Sequence, residues 1–401
     1  MQILRMSTMR LAVRLALLGA LCATTLAPAA YAQATTALPA LASLDPAYIR
    51  DLHDIIDSLP LYEGATRVSG DSYPNAYDRA VTNAFVGHLE KEEFIRRMTP
   101  AWASVISPDL ASRLTAILRL PVAKKITAAT KIDPNRGIEF NELTPDERIE
   151  LERIGDDPAE KEFRALFQQG LDASRSALAD WRIEFTTSLT SKAQNAIAQN
   201  EQSIAAATKD GRPGSAKIHT IGFAPWDQVI VAIANCSTSI GVSLLHFTDQ
   251  LEDTDYWQLS NLENLATRRN YADVLAVEKK LERELDTAIA GMRQATGKLD
   301  TDLKNADLMK KPQFRQNFAP DIAELDAFAA KLGEKYRRLF AAQRQLITFA
   351  RERDGKIKLV GEQLTYRDKR DEAAASKLLD RIGMLAAEVD AIFENNGNTA
   401  P

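Results

Sequence analysis

The chain has 401 residues, 45% of them hydrophobic, with 50 Lys and Arg against 55 Asp and Glu, a formal charge of −5. That length allows one or two domains with sizeable cores. The acidic balance disfavours nucleic acid and anionic membrane surfaces as partners, because both reward concentrated positive charge. With only Cys22 and Cys236 present, a disulfide-built framework is excluded.

The first predicted element is a leader. Arg5, Arg10 and Arg14 precede the apolar run "LALLGALCATTLA", and Ala30-Tyr31-Ala32 offers a small-x-small cleavage pattern, so residues 1–32 read as a secretory signal cut after Ala32. The expected location is periplasmic or secreted. A retained anchor is disfavoured by the shortness of the run and by Thr24, Thr25 and Pro28 within it. Cleavage removes three of the 50 basic residues and no acid, leaving 47 against 55. It also leaves Cys236 as the one cysteine, expected as a small buried side chain. Residues 33–44 read as a flexible linker.

An N-terminal helical domain is expected over 45–157. Asp45-Pro46 opens a helix to about Ser58, "YEGATRVSGDSYPNAY" reads as a loop, and a helical stretch runs from Asp78 through Met98. A motif is then written twice: "SPDLASRLTAILRLPVAKKI" from Ser107 and "TPDERIELERIGDDPAEKEF" from Thr144. The copies agree at Pro108/Pro145, Asp109/Asp146, Leu114/Leu151, Ile117/Ile154, Pro121/Pro158 and Lys124/Lys161. Ser107 and Thr144 supply N-caps, proline suits the first helical turn, and aspartate favours the positive end of the helix dipole. Glu147 completes a capping box with Thr144. Pro121 and Pro158 stop each short helix and begin the next. Residues 102–163 resemble a family of uncharacterised small helical domains of exported proteobacterial proteins, through the Ser/Thr-Pro opening and the Pro, small residue, x, Lys turn. Val122-Ala123 and Ala159-Glu160 stand where that family usually has a glycine. The resemblance implies a fold and a compartment, and no activity.

From Pro158 to residue 395 a bundle of long antiparallel, coiled-coil-like helices is expected. One runs from Pro158 to about Thr208 and ends at "KDGRPGS". Strand alternation is nearly absent, apart from the brief "KIHTIGF" from Lys217. Its linker is longer than most bundle connections, and Ile221, Phe223 and Trp226 in it are the candidate partner surface. A second helix starts near Trp226 and carries the uncharged run Val229–Phe247. Asn235, three serines and Thr238 within that run, and the acids after it, argue for a core helix and against a membrane span. Two stripes at three-and-four spacing follow, Val274 to Leu299 and Ile322 to Ala350, joined by "KKPQFRQNFAP". A last helix spans about Asp371 to Glu394, and 396–401 is a frayed tail.

Chemistry is sparse. No H-E-x-x-H, Glu-x-x-His, P-loop, G-x-G-x-x-G or G-x-S-x-G occurs. His53/Asp57 and His88/Glu92 are i, i+4 pairs of the kind that arise freely at this charge density. Ser243, His246 and Asp249 share one helix face and cannot converge on a substrate as a triad must. No catalytic residue, cofactor or metal is assigned. The expected function is non-enzymatic: an exported helical bundle acting through a protein partner in the cell envelope, with a homo-oligomer possible. The alternative is a helical module enclosing an apolar small molecule or lipid.

Overall fold

A computed structural model describes residues 40–132, 138, 142–212, 216–361 and 363–395. The expected leader and the tail lie outside the described residues, as does most of the expected linker. Among the described residues the fold is all-α apart from one two-stranded hairpin, and the chain divides into two compact units that meet in sequence at Leu189/Thr190.

In the N-terminal unit, Leu41–Ser43 forms a 3₁₀ turn, so the end of the expected linker is structured, and Leu44 packs against the core. Helix α1 (Pro46–Ser58) is capped by Asp45, whose carboxylate accepts the Ala47 and Tyr48 N–H groups. Its buried stripe is Tyr48, Leu52, Ile55 and Ile56. The expected loop contains α2 (Leu61–Thr66) and a 3₁₀ turn at Gly70–Ser72. The expected helix from Asp78 to Met98 is two, α3 (Ala76–Gly87) and α4 (Lys91–Ala103), divided at His88–Glu90. Asn75 caps the first by accepting from the Asp78 N–H.

Both copies of the repeated motif fold as their punctuation dictates. In the first, Ser107 caps α5 (Pro108–Leu118) and Pro121 starts α6 (Pro121–Ile132). In the second, Thr144 and Glu147 form the capping box of α7 (Pro145–Asp156), and Pro158 starts α8 (Pro158–Lys209). The copies differ in burial. Helix α5 buries Leu110, Ala111, Leu114 and Thr115, whereas α7 buries no residue.

The core of this unit forms where α8 passes the earlier helices. Trp102 stacks on Phe163 at 6.0 Å, and Phe85 meets the Trp181 ring edge-on at 5.5 Å. Phe163, Phe167, Leu178 and Phe185 pack on the same cluster. Their apolar area moves the unit boundary past the expected break at Pro158, because the first part of α8 is needed to cover the small helices. Gly170 permits the closest approach: a methyl there would lie 2.3 Å from the Trp102 ring.

The C-terminal unit is built from α9 (Ala224–Asp253), two short helices α10 (Tyr256–Leu259) and α11 (Leu262–Arg268), then α12 (Tyr271–Asn305), α13 (Pro312–Glu352) and α14 (Lys369–Asn395). Helix α9 packs on α12, α12 on α13, and α13 on α14. The predicted stripes face inward: Val274, Leu281, Leu285, Ala288, Met292 and Leu299 are buried on α12, and Leu325, Ala329, Leu332, Tyr336, Leu339 and Leu346 on α13. The connection between them is shorter than expected, because α13 starts at Pro312 and Pro320 lies inside it. The Gln316 carbonyl loses its helix donor there, and Gln316 is exposed to water.

The segment after α13 differs most from expectation. Gly355, at φ +73°, and Gly361, at φ +63°, hold left-handed conformations that glycine alone adopts freely. Between and after them stand strands β1 (Ile357–Val360) and β2 (Gln363–Tyr366), paired antiparallel from Ile357↔Tyr366 to Val360↔Gln363. "KIHTIGF" is not a strand.

Candidate functional site

The long loop before α9 is fastened on both sides. The Asn200 side chain brackets the backbone of His219, accepting its N–H at 2.6 Å and donating to its carbonyl at 3.0 Å. Ser203 donates to the Lys217 carbonyl at 2.8 Å, and Asp227 accepts the Ile221 N–H at 2.8 Å. These bonds turn the apolar residues inward. Phe223 and Trp226 are buried, Trp226 meeting Phe314 edge-on at 5.9 Å, while Ile221 is half-buried. Phe223 and Trp226 are therefore core residues of the C-terminal unit and present no surface to a partner. The three-residue surface expected from the linker's length is corrected on that ground, since length alone does not distinguish a loop that binds from one that packs.

The uncharged run on α9 is interior in the same way. Val229, Ile230, Ile233, Cys236, Ile240, Leu244 and Phe247 are buried in the unit. This helix is long and apolar enough to cross a membrane by length and composition, and most of its apolar window is covered by protein. Burial among apolar neighbours pushes the Cys236 thiol up to about 12. Beside it lies a cavity of about 30 Å³ lined by Ile233, Ile240, Leu299, Phe318 and Leu325. That is room for one or two waters and well below the several hundred Å³ that a drug-sized or lipid-sized ligand fills.

A buried polar layer links α10, α12 and α13. Glu278 is 1% exposed; its carboxylate accepts from the Tyr256 hydroxyl at 2.6 Å and pairs with the Arg344 guanidinium at 2.6 Å. Arg344 also reaches Glu282 at 2.6 Å, and Gln343 donates to the Ser260 carbonyl at 2.7 Å. Burial raises the Glu278 carboxyl above its ordinary range, against the opposing pull of Tyr256 and Arg344. Sequence reasoning missed this layer, because a glutamate directly after the stripe residue Val277 reads as the solvated flank of the helix. The available signal was its spacing, four residues after Val274 and three before Leu281, both of which are buried on α12.

Of the histidines, His53 is half-buried with its Nε2 enclosed and unbonded, and burial lowers its pKa. Its helical neighbour Asp57 is occupied by Lys91 at 2.5 Å and Lys131 at 2.8 Å, so the pair does not act as two ligands. His88 lies against the Phe185 ring at 5.4 Å. His246 sits at the bundle edge, 3.4 Å from Glu284. Among the described residues no group of three or more His, Cys, Asp or Glu gathers as metal ligands do.

The hairpin and α14 carry the exposed large apolar side chains of the C-terminal unit among the described residues, Leu379 and Met384 being those on α14. Ile357 at the base of the hairpin is buried and packs toward α11, while Leu359 is 38% and Val360 61% exposed. Side chains alternate across a strand, so these two adjacent residues present apolar surface on both faces of the ribbon next to the Gly361 turn. Each strand has a single pairing partner, which leaves backbone N–H and C=O groups along the outer edges. Lys356 and Arg367 close the base of the hairpin, the Arg367 N–H donating to the Lys356 carbonyl at 3.0 Å, and exposed Lys358 lies between base and tip.

Comparison with protein families, with curated proteins and with solved structures finds no match for this chain.

Proposed function

We propose that the chain is an exported, non-enzymatic helical protein that acts in the cell envelope by binding another protein, and that the hairpin β1–β2 is its contact. One observation carries the reading: a two-stranded ribbon with both outer edges unpaired holds Leu359 and Val360 exposed beside its turn. An extended segment of a partner adds to such an edge by main-chain hydrogen bonds, and apolar side chains beside the turn give it specificity. Export is supported by Arg5, Arg10 and Arg14 before the apolar run and by Ala30-Tyr31-Ala32, and the likeness of residues 102–163 to exported helical domains points the same way. The alternative of an enclosed apolar small molecule or lipid has less support, since the cavity beside Cys236 is water-sized.

The test is photocrosslinking in intact cells from a benzophenone side chain at Val360, with Lys279 on the outer face of α12 as the control position. A discrete adduct from 360 and none from 279 is expected, and an adduct of twice the chain mass would identify the partner as a second copy. With the benzophenone kept at 360, Leu359→Asp should abolish the adduct while helix content, read by circular dichroism, is retained. No adduct from 360, or the same adducts from both positions, rejects the reading.

A further inference from the structure

Helix α6 is held in the N-terminal unit by polar ties. The Val122 N–H donates to Glu150 at 3.3 Å, Lys125 pairs with Glu147 at 2.9 Å, and Arg67 donates to the Ile132 carbonyl at 3.1 Å. Val122 is its one buried residue among those described. The stripe that an ordinary helix would fill with apolar side chains is here Lys124, Thr127, Ala128 and Lys131, spaced by three, one and three. This stripe lines a groove of about 400 Å³, opposite Asp54 and Asp57 of α1 and beside Arg119 at the end of α5. That volume lies within the range of small-molecule sites.

The charges in the groove do not balance. Asp57 is shared by Lys91 and Lys131; burial opposes its ionisation, but the two ammonium groups outweigh burial and hold its carboxyl below the usual range. Asp54 reaches Arg119 only at 4.0 Å, and Lys124 has no ion-pair partner among the described residues. Three cations, Arg119, Lys124 and Lys131, thus line the groove with two acids, and one of those acids is already shared with Lys91 outside it.

The second copy of the motif shows what is missing. Lys161 occupies the position of Lys124, and Asp156 the position of Arg119. There Lys161 and Asp156 bridge the helix-Pro-helix turn at 3.0 Å. In the first copy an arginine replaces the acid, so the same turn carries two cations and lacks its internal anion. Separated like charges facing a polar groove are what an anion-binding site requires.

We propose that this groove binds a small hydroxylated anion, its phosphate or carboxylate held between Arg119 and Lys124 and its hydroxyls toward Thr127 and Asp54. The site is independent of the hairpin and of any partner there. Isothermal titration of the purified chain with glucose 6-phosphate, glucuronate and glucose tests it, the two anions distinguishing a phosphate from a carboxylate and glucose reporting the neutral ring alone. Saturable binding of at least one anion, weakened by added salt, with none of glucose, is the expected result. Arg119→Asp restores the acid that the second copy has, so it should keep the helix content and lose about tenfold or more in affinity. Lys124→Gln provides the same reading should the first variant misfold, and Lys161→Gln should change nothing. The proposal is overturned if neither anion binds, if glucose binds equally, or if Arg119→Asp and Lys124→Gln both bind as the parent does.

Discussion

Gly170 and Glu278 are the residues whose neighbours make the sharpest demands. An alanine for glycine exchange inside a helix normally stabilises by about 1 kcal/mol. At Gly170 the added methyl would lie 2.3–2.7 Å from three atoms of the fully buried Trp102 ring. Gly170→Ala should therefore destabilise by about 1–3 kcal/mol through overpacking, read as a lowered urea midpoint. A neutral or stabilising result would show that the ring can move aside. Glu278→Leu should cost about 3 kcal/mol, because it strands the Tyr256 hydroxyl and removes one of the two acids on Arg344. Glu278 also has a pH signature. Its folded carboxyl titrates above the ordinary value of 4.5, so the folded chain holds that proton more tightly than the unfolded one. Its contribution to stability is then complete below about pH 4.5 and is lost as the pH rises through the higher folded value. Glu278→Gln should remove this component, so the difference in urea midpoint between variant and parent changes with pH across that window. A pH-independent difference would show that the carboxyl titrates normally.

At the scale of elements, the two copies of the capped-helix motif have the same signals and different burial. Losing an N-cap hydroxyl costs about 1 kcal/mol wherever the helix is part of the cooperative fold. Ser107→Ala should therefore lower the stability of the whole N-terminal unit, since α5 buries Leu110 and Leu114 in its core. Thr144→Ala should act locally. Helix α7 buries no residue, so its amides should lose hydrogen-exchange protection while those of α4 and α5 keep theirs. Equal effects of the two substitutions would mean that α7 opens only with the rest of the unit. The helix boundaries here were legible in sequence because caps and prolines act through groups within four residues of each other. The hairpin was not legible, since "KIKLV" and "QLTY" are short, charged at intervals and placed between two strongly helical segments. Only Gly355 and Gly361 marked it, and a glycine alone reads equally as a bend.

For the whole molecule, two separate cores imply two separable responses. Gly170→Ala should shift the unfolding of the N-terminal unit alone, and Leu281→Ala, which empties a fully buried position on α12, that of the C-terminal unit alone. Leu281→Ala should cost about 2–5 kcal/mol. Scanning calorimetry of the two variants checks this; a joint shift of every transition would make the chain one cooperative body. Cys236 supplies a second probe. Enclosed and with its thiol pushed up to about 12, it should stay unmodified by a thiol reagent in buffer and react fully in denaturant.

What the amino-acid order determined by itself was the helical class, the starts of α8, α9 and α14 to within two or so residues, and the inward stripes of α12 and α13. These depend on near-neighbour geometry: the 3.6-residue period, caps, and proline's missing N–H. What only the tertiary structure decided was which polar and apolar side chains are covered. Phe223 and Trp226 went inside, Glu278 was enclosed with Tyr256, Leu359 and Val360 stayed outside, and Arg119 with Lys124 came to line one groove with Asp54 and Asp57. The reason is physical: burial and charge pairing are set by residues distant in sequence, and no periodicity along one helix specifies what its neighbour will place against it.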